Sequence, residues 1–192
     1  MKIMTTKTKI AIIALSVLSF ANFAQQETIT KPVKLRGNDF ALGYCLNQFG
    51  KDFGVGLSAT SPFIKGFMAF KISENYQWHE YFDGDITQWK AYHNVKIGVV
   101  SVGATICDQI RLYGEGGTSI VIMDNNFSAK QMTFGGYGVF GFEFFMTKID
   151  KAFLSYYIEL GGIGSGAVAE KINTKPIISN GFLITTGLRI YL

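Results

Sequence analysis

The chain has 192 residues, 48% hydrophobic and 17% charged, with a formal net charge of +4. That length suits one domain with a sizeable core, and that balance excludes a disordered chain. The 22 glycines, 17 phenylalanines and 9 tyrosines against 3 prolines suit strands joined by tight turns.

In chain order, the first segment stands apart. Lys2, Lys7 and Lys9 precede the apolar run IAIIALSVLSF and the small residues Ala21 and Ala24. This is the layout of a secretory signal peptide, and the run is too short to span a membrane as a helix. The expected organisation is a signal peptide over 1–24, a periplasmic lead-in over 25–37 and one folded domain over 38–192. Removing 1–24 leaves fifteen basic and fourteen acidic residues, a net +1. The apparent basicity belongs to the export signal and gives no footing for a nucleic-acid partner.

Segments that alternate with period two follow, and each has one bulky face and one small or polar face. FALGYCLN sets Phe40, Leu42, Tyr44 and Leu46 against Ala41, Gly43, Cys45 and Asn47, and FGVGLSAT sets Phe53, Val55 and Leu57 against Gly54, Gly56 and Ser58. The third, FMAFKISENYQW, opposes Phe70 and Ile72 to Lys71 and Ser73. The fourth, WKAYHNVKIGVVSVG, is less regular and places Val95, Ile97 and Val99 opposite Asn94, Lys96 and Gly98. The fifth opposes Ile110 and Leu112 to Arg111, Tyr113 and Glu115.

The sixth, MTFGGYGVFGFEFFM, is the most aromatic stretch and also holds Glu143 and four glycines, which argue against a membrane helix. Read as a strand, it puts Phe134, Phe140, Phe142 and Phe144 on one face and Tyr137, Gly141 and Glu143 on the other. The seventh opposes Leu154, Tyr156, Ile158 and Leu160 to Ser155, Tyr157 and Glu159, and the eighth opposes Leu188, Ile190 and Leu192 to Gly187, Arg189 and Tyr191.

The spacers sort by length. SPFIKG at 61–66, ATICD at 104–108 and TKIDKA at 147–152 are short, while YFDGDITQ at 81–88, MDNNFSAKQ at 123–131 and the stretch at 164–180 are longer. Only QFGKD, after the first strand, breaks the contrast. Short turns on one rim and longer loops on the other is the pattern of outer-membrane barrels, with the short turns and both termini periplasmic. The bulky face then meets lipid, because a closed eight-stranded barrel has room inside only for side chains. Trp78, Tyr81, Phe82, Trp89 and Tyr92 cluster near one loop, as an interfacial girdle would. The expected fold class is all-β: an eight-stranded antiparallel up-and-down transmembrane β-barrel with a filled polar interior.

Over about residues 38–192 this pattern, with LRIYL at the end of the chain, resembles the small eight-stranded outer-membrane β-barrel proteins of Gram-negative bacteria, of the OmpA/OmpX type. The resemblance implies an outer-membrane location, contact with outer-membrane lipids, and recognition by the barrel assembly machinery through Leu188, Ile190 and Leu192 of the last strand. Leu192 stands where such proteins commonly carry a terminal aromatic.

A carboxylate inside a narrow barrel needs compensation. Glu115, Glu143 and Glu159 share the inward face with Arg111, Arg189, Lys71 and Lys96. Strands six and seven are neighbours, so Glu143 and Glu159 are expected to share Arg189 of the eighth. This is a structural charge cluster, and no catalytic, cofactor-binding or metal site is expected. A lipid A deacylase or acyltransferase is the enzymatic alternative. It would need a nucleophile aligned with a base, yet His79 and His93 read as loop-edge residues and none of Ser101, Ser119 or Ser155 lies in a G-x-S-x-G context. A soluble lipocalin-like periplasmic carrier, with the greasy face inward, is the other alternative. Cys45 and Cys107 could form one disulfide, and a small residue filling a strand position accounts for each equally well. The leading expectation is a structural or surface-binding protein acting through its outer loops, with a surface partner the sequence does not name.

Overall fold

The structure, a computed structural model, describes residues 35–83, 86–125 and 128–192. The expected signal peptide and most of the lead-in lie outside the described residues. Seven strands run in chain order: β1 (Ala41–Phe49), β2 (Asp52–Thr60), β3 (Met68–Asp83), β4 (Ile86–Ile106), β5 (Ile110–Ile122), β6 (Met132–Phe145) and β7 (Leu154–Gly164). A small hairpin, β8 (Ala167–Val168) and β9 (Ile177–Ile178), precedes β10 (Gly181–Tyr191), which pairs with β1 and closes the barrel. Every pairing is antiparallel and between strands adjacent in the chain, apart from β7 with β10 and the closing pair.

The alternation drives this closure. Each strand buries its small or polar face and exposes its bulky one, so Ala41, Cys45 and Asn47 point inward on β1 while Leu42, Tyr44 and Leu46 point out. The inward faces match those read from the sequence in all eight strands. Partners followed from Ala41 through Thr60, Lys71, Gly98, Gly117, Tyr137 and Ile163 arrive at Gly181. Next to Gly181, Phe182 accepts a hydrogen bond from the backbone N–H of Gly50, at the far end of β1. That stagger is the tilt a closed barrel requires.

Three sequence expectations change here. The stretch 81–88 continues as strand to Asp83 and is strand again from Ile86, because its Tyr, Phe, Ile and Thr favour a ladder and the sequence places Gly-Asp, a tight-hairpin dipeptide, between them. The contrast in spacer length therefore rests on the connections after β5 and β7 alone. The irregularity of the fourth strand is a bulge between Val102 and Ala104, after which the chain turns at Cys107 and Asp108, both in left-handed conformation with φ 52° and 56°. Of the five aromatics expected in a girdle, Tyr92 is buried inside, since it shares the parity of Asn94 and Lys96.

Both mouths are filled by the chain. At one, Ala167, Ala169, Ile172 and Ile178 of the β7–β10 connection pack with Tyr92, Val121 and Met123, so this connection is an apolar stopper rather than a polar loop. At the other, the 3-10 turn Arg36–Asn38 folds under the barrel, and the Gly37 N–H donates to the Ile149 carbonyl at 2.9 Å. A Cβ on Gly37 would meet Ile149 Cγ1 at 2.7 Å and Phe145 Cε1 at 2.9 Å, so any larger residue would have to displace both side chains. Residue 37, expected in the lead-in, belongs to the seal of this mouth.

Candidate functional site

The chemistry-bearing side chains lie inside the barrel. The opposite charges of β5 and β6 face each other directly, Arg111 opposite Glu143, and Gly141 of β6 stands opposite Glu159 of β7. Glu143 Oε1 accepts from Ser155 Oγ at 2.6 Å and from the Tyr191 hydroxyl, and lies 3.0 Å from Arg189 Nη1. Its other oxygen lies 3.3 Å from Arg111 Nη1. Arg111 in turn donates from Nη2 to the Gly37 carbonyl at 2.7 Å and to Asn38 Oδ1 at 2.6 Å, and its guanidinium stacks on Phe63 and Phe145. The lower seal and the charge network are thus one structure.

A second layer is organised by Lys71. Its ammonium bridges Glu115 Oε2 and Glu159 Oε1, each at 2.6 Å. Tyr137 donates to Glu115 Oε1 and Tyr113 to Glu159 Oε1, both at 2.7 Å. Arg189 Nη2 lies 3.8 Å from the same Glu159 oxygen, and its guanidinium stacks on Tyr157 at 4.6 Å. All five residues singled out in the sequence, Glu115, Glu143, Glu159, Arg111 and Arg189, are brought into this network. Arg189 touches both Glu143 and Glu159, while the cation closest to Glu159 is Lys71. Alternation reveals the face of a residue and hides its height, which the tilt sets, so Lys71 of β3 meeting Glu159 of β7 was not legible. The tyrosine donors were missed for the same reason.

A third group sits at the stoppered mouth. Asp52 Oδ1 pairs with His79 Nδ1 at 2.6 Å, and Oδ2 accepts from the Tyr92 hydroxyl and from the Ser179 N–H at 3.0 Å. Asn94 donates to Ser119 Oγ and Ser179 Oγ, both at 2.9 Å. Ser179 itself is buried with φ 48°, a left-handed conformation that these bonds hold in place. His79 is therefore an inward residue of β3, in place of the loop-edge position expected; it shares the parity of Lys71 and Ser73. His93 lies on the outward face, 2.9 Å from Glu74.

In these bonds Asp52 stands between histidine and serine, whereas acyl transfer needs the imidazole in that place. Ser155 is taken by Glu143 and Ser119 by Asn94, and Ser101 is exposed on the outward side. Cys45 is buried and Cys107 exposed, both as free thiols. Among the described residues no group of His, Cys, Asp and Glu could hold a metal ion.

The backbone has a known counterpart. The crystal structure of the N-terminal β-barrel domain of Pseudomonas aeruginosa OprF superposes with a TM-score of 0.54 over 81% of this chain and 98% of that one, at 12% identity. The fold is that of the small eight-stranded barrels. At that identity the likeness extends to the fold alone, and the charge network is read from this chain's own residues. No family model and no curated protein matches the chain.

Proposed function

We propose that the barrel spans an outer membrane, with both of its ends of chain on the periplasmic side, and that it serves a structural or surface-binding role through its outer connections, without catalysis. The observation that carries this reading is the inverted polarity of the wall. Lys71, Lys96, Arg111, Arg189, Glu115, Glu143 and Glu159 are buried, while Leu57, Phe70, Phe134 and Leu192 are 66%, 57%, 64% and 64% exposed around the outside. A water-soluble carrier would have to leave that continuous apolar surface in water, at a large cost in solubility. Lipid covers it without cost, and a closed barrel leaves no unpaired edge within the bilayer.

Rings near the two rims support the same reading. Tyr76 and Trp78 meet edge to face at 5.0 Å with Phe53 stacked beside Trp78, and Phe144 stacks on Tyr156 on the other half of the wall. Leu188, Ile190 and Leu192, the residues through which the assembly machinery would read the last strand, are exposed on the outward face. Fractionation tests the proposal. The protein should sediment with washed outer membranes, resist salt and alkali, and migrate differently on gels before and after heating. Recovery as a soluble periplasmic monomer would overturn it and restore the carrier reading.

A further inference from the structure

The outward face of the wall is interrupted at one place by ionisable groups. Among the described strand residues between the Phe53–Trp78 pair and the mouth sealed by Arg36–Asn38, Glu74 of β3 and His93 of β4 are the one carboxylate and the one imidazole on that face. Both are exposed, and His93 Nδ1 lies 2.9 Å from Glu74 Oε1. The Tyr76 ring meets the imidazole edge to face at 5.1 Å and fixes its plane. Along β3, Glu74 stands midway between Phe70 and Trp78, roughly 13 Å from each.

On the membrane-spanning reading proposed above, on which this inference rests, that position faces hydrocarbon. The pair supplies one hydrogen bond, and it leaves Glu74 Oε2 and His93 Nε2 without a partner among the described residues. Lipid tails offer neither a donor nor an acceptor, so ionisable groups at such depth meet protein or water.

The surface beside the pair has relief. Ala59 lies between Leu42 and Ile72 in the pairing, and its short side chain leaves a shallow groove bordered by Leu57 and Glu74. Leu57, directly opposite Glu74, is among the most exposed side chains of the wall. An acid thus stands beside a base, and a knob beside a hollow.

We infer that this face of β2, β3 and β4 docks a second copy of the chain within the membrane. A two-fold axis turns a self-complementary patch onto itself. Each Leu57 then enters the hollow at the other copy's Ala59, and each Glu74 Oε2 takes the proton-bearing side of the other copy's His93. An acyl chain could fill the hollow but would leave both polar atoms bare. Small residues that admit close approach, with polar groups bonding across, are what joins protein segments in lipid.

The test uses the full chain in phosphatidylcholine vesicles, labelled with donor and acceptor dyes at the exposed Cys107. The wild type should float with the vesicles and show energy transfer above that of random mixing. Glu74→Leu with His93→Leu should insert at least as well and associate at least about tenfold more weakly. Glu74→His and His93→Glu should each associate weakly alone and recover transfer when mixed, since each then supplies what the other lacks. A chain that stays out of the vesicles would overturn the membrane reading and this inference with it. A wild type that inserts and stays monomeric overturns the inference alone, as does undiminished association of the double leucine variant or a mixture that does not recover. Should a swapped variant fail to insert, oxidative cross-linking in a Cys107→Ser background decides: a covalent dimer through Leu57→Cys and none through Phe140→Cys supports the face, and any other pattern refutes it.

Discussion

The two faces of β6 are built to different rules. On the inward face, Tyr137 and Glu143 each reach partners on other strands, and a Cβ added to Gly141 would meet Tyr113 Cζ at 2.2 Å. On the outward face, Phe140 is 48% exposed, its only ring neighbour among the described residues is Phe142, and a Cβ on Gly138 would find nothing nearer than a backbone oxygen at 4.0 Å. The inward face is specified by the chain itself. The outward face is specified by whatever surrounds the barrel, so substitutions on the two faces should report on different things.

The largest effect is expected where the inward network loses a charge. Arg189→Leu leaves Glu143 paired with the cation Arg111 alone, at 3.3 Å, and removes the arginine that lies 3.8 Å from Glu159. Breaking a buried pair in this way costs about 3–5 kcal/mol, measurable by urea unfolding in detergent or lipid. Adding Glu143→Gln removes the excess carboxylate while keeping its shape, so the double variant should recover much of the loss. A coupling below about 0.5 kcal/mol would mean that the two residues act independently.

Next comes a charge on the outward face. Phe140→Arg should cost about 2–4 kcal/mol if that face lies in lipid near the midplane, read as reduced insertion and a lower urea midpoint. In a soluble barrel the same change would place a charge in water on an exposed surface, where effects stay within about 0.5 kcal/mol. The size of this one number separates the two environments.

These contrasts also explain what the sequence could reveal. Period-two alternation is a local property, so the inward placement of Glu143, Arg189 and Lys71 was readable from their neighbours in each strand. Height along the barrel axis is a global property, set by a stagger that accumulates over all eight strands. The contact of Lys71 with Glu159, four strands apart along the chain, therefore emerges only from the closed register. The stopper at 165–180 was hidden for another reason. Its Ala167, Ala169, Ile172 and Ile178 are scattered among polar residues and follow neither a helical nor a strand period.

The smallest effects sharpen the comparison most, because they change one methyl group on each face. Gly141→Ala must displace the Tyr113 ring, whose hydroxyl donates to Glu159 at 2.7 Å, and the ring is hemmed in by Arg189 at 5.7 Å. Overpacking of that kind costs about 1–3 kcal/mol, and it should be lowered when Tyr113→Phe removes the bond that fixes the ring. Gly138→Ala meets open space and restricts the unfolded chain, so it should be neutral or stabilising by up to about 0.5 kcal/mol. Unfolding midpoints of the two variants in the same detergent give the comparison directly. If Gly138→Ala proves as costly as Gly141→Ala, something beyond the barrel's own atoms presses on the outward face at that point, and the rule that the inward face alone is specified by close contact would fail there.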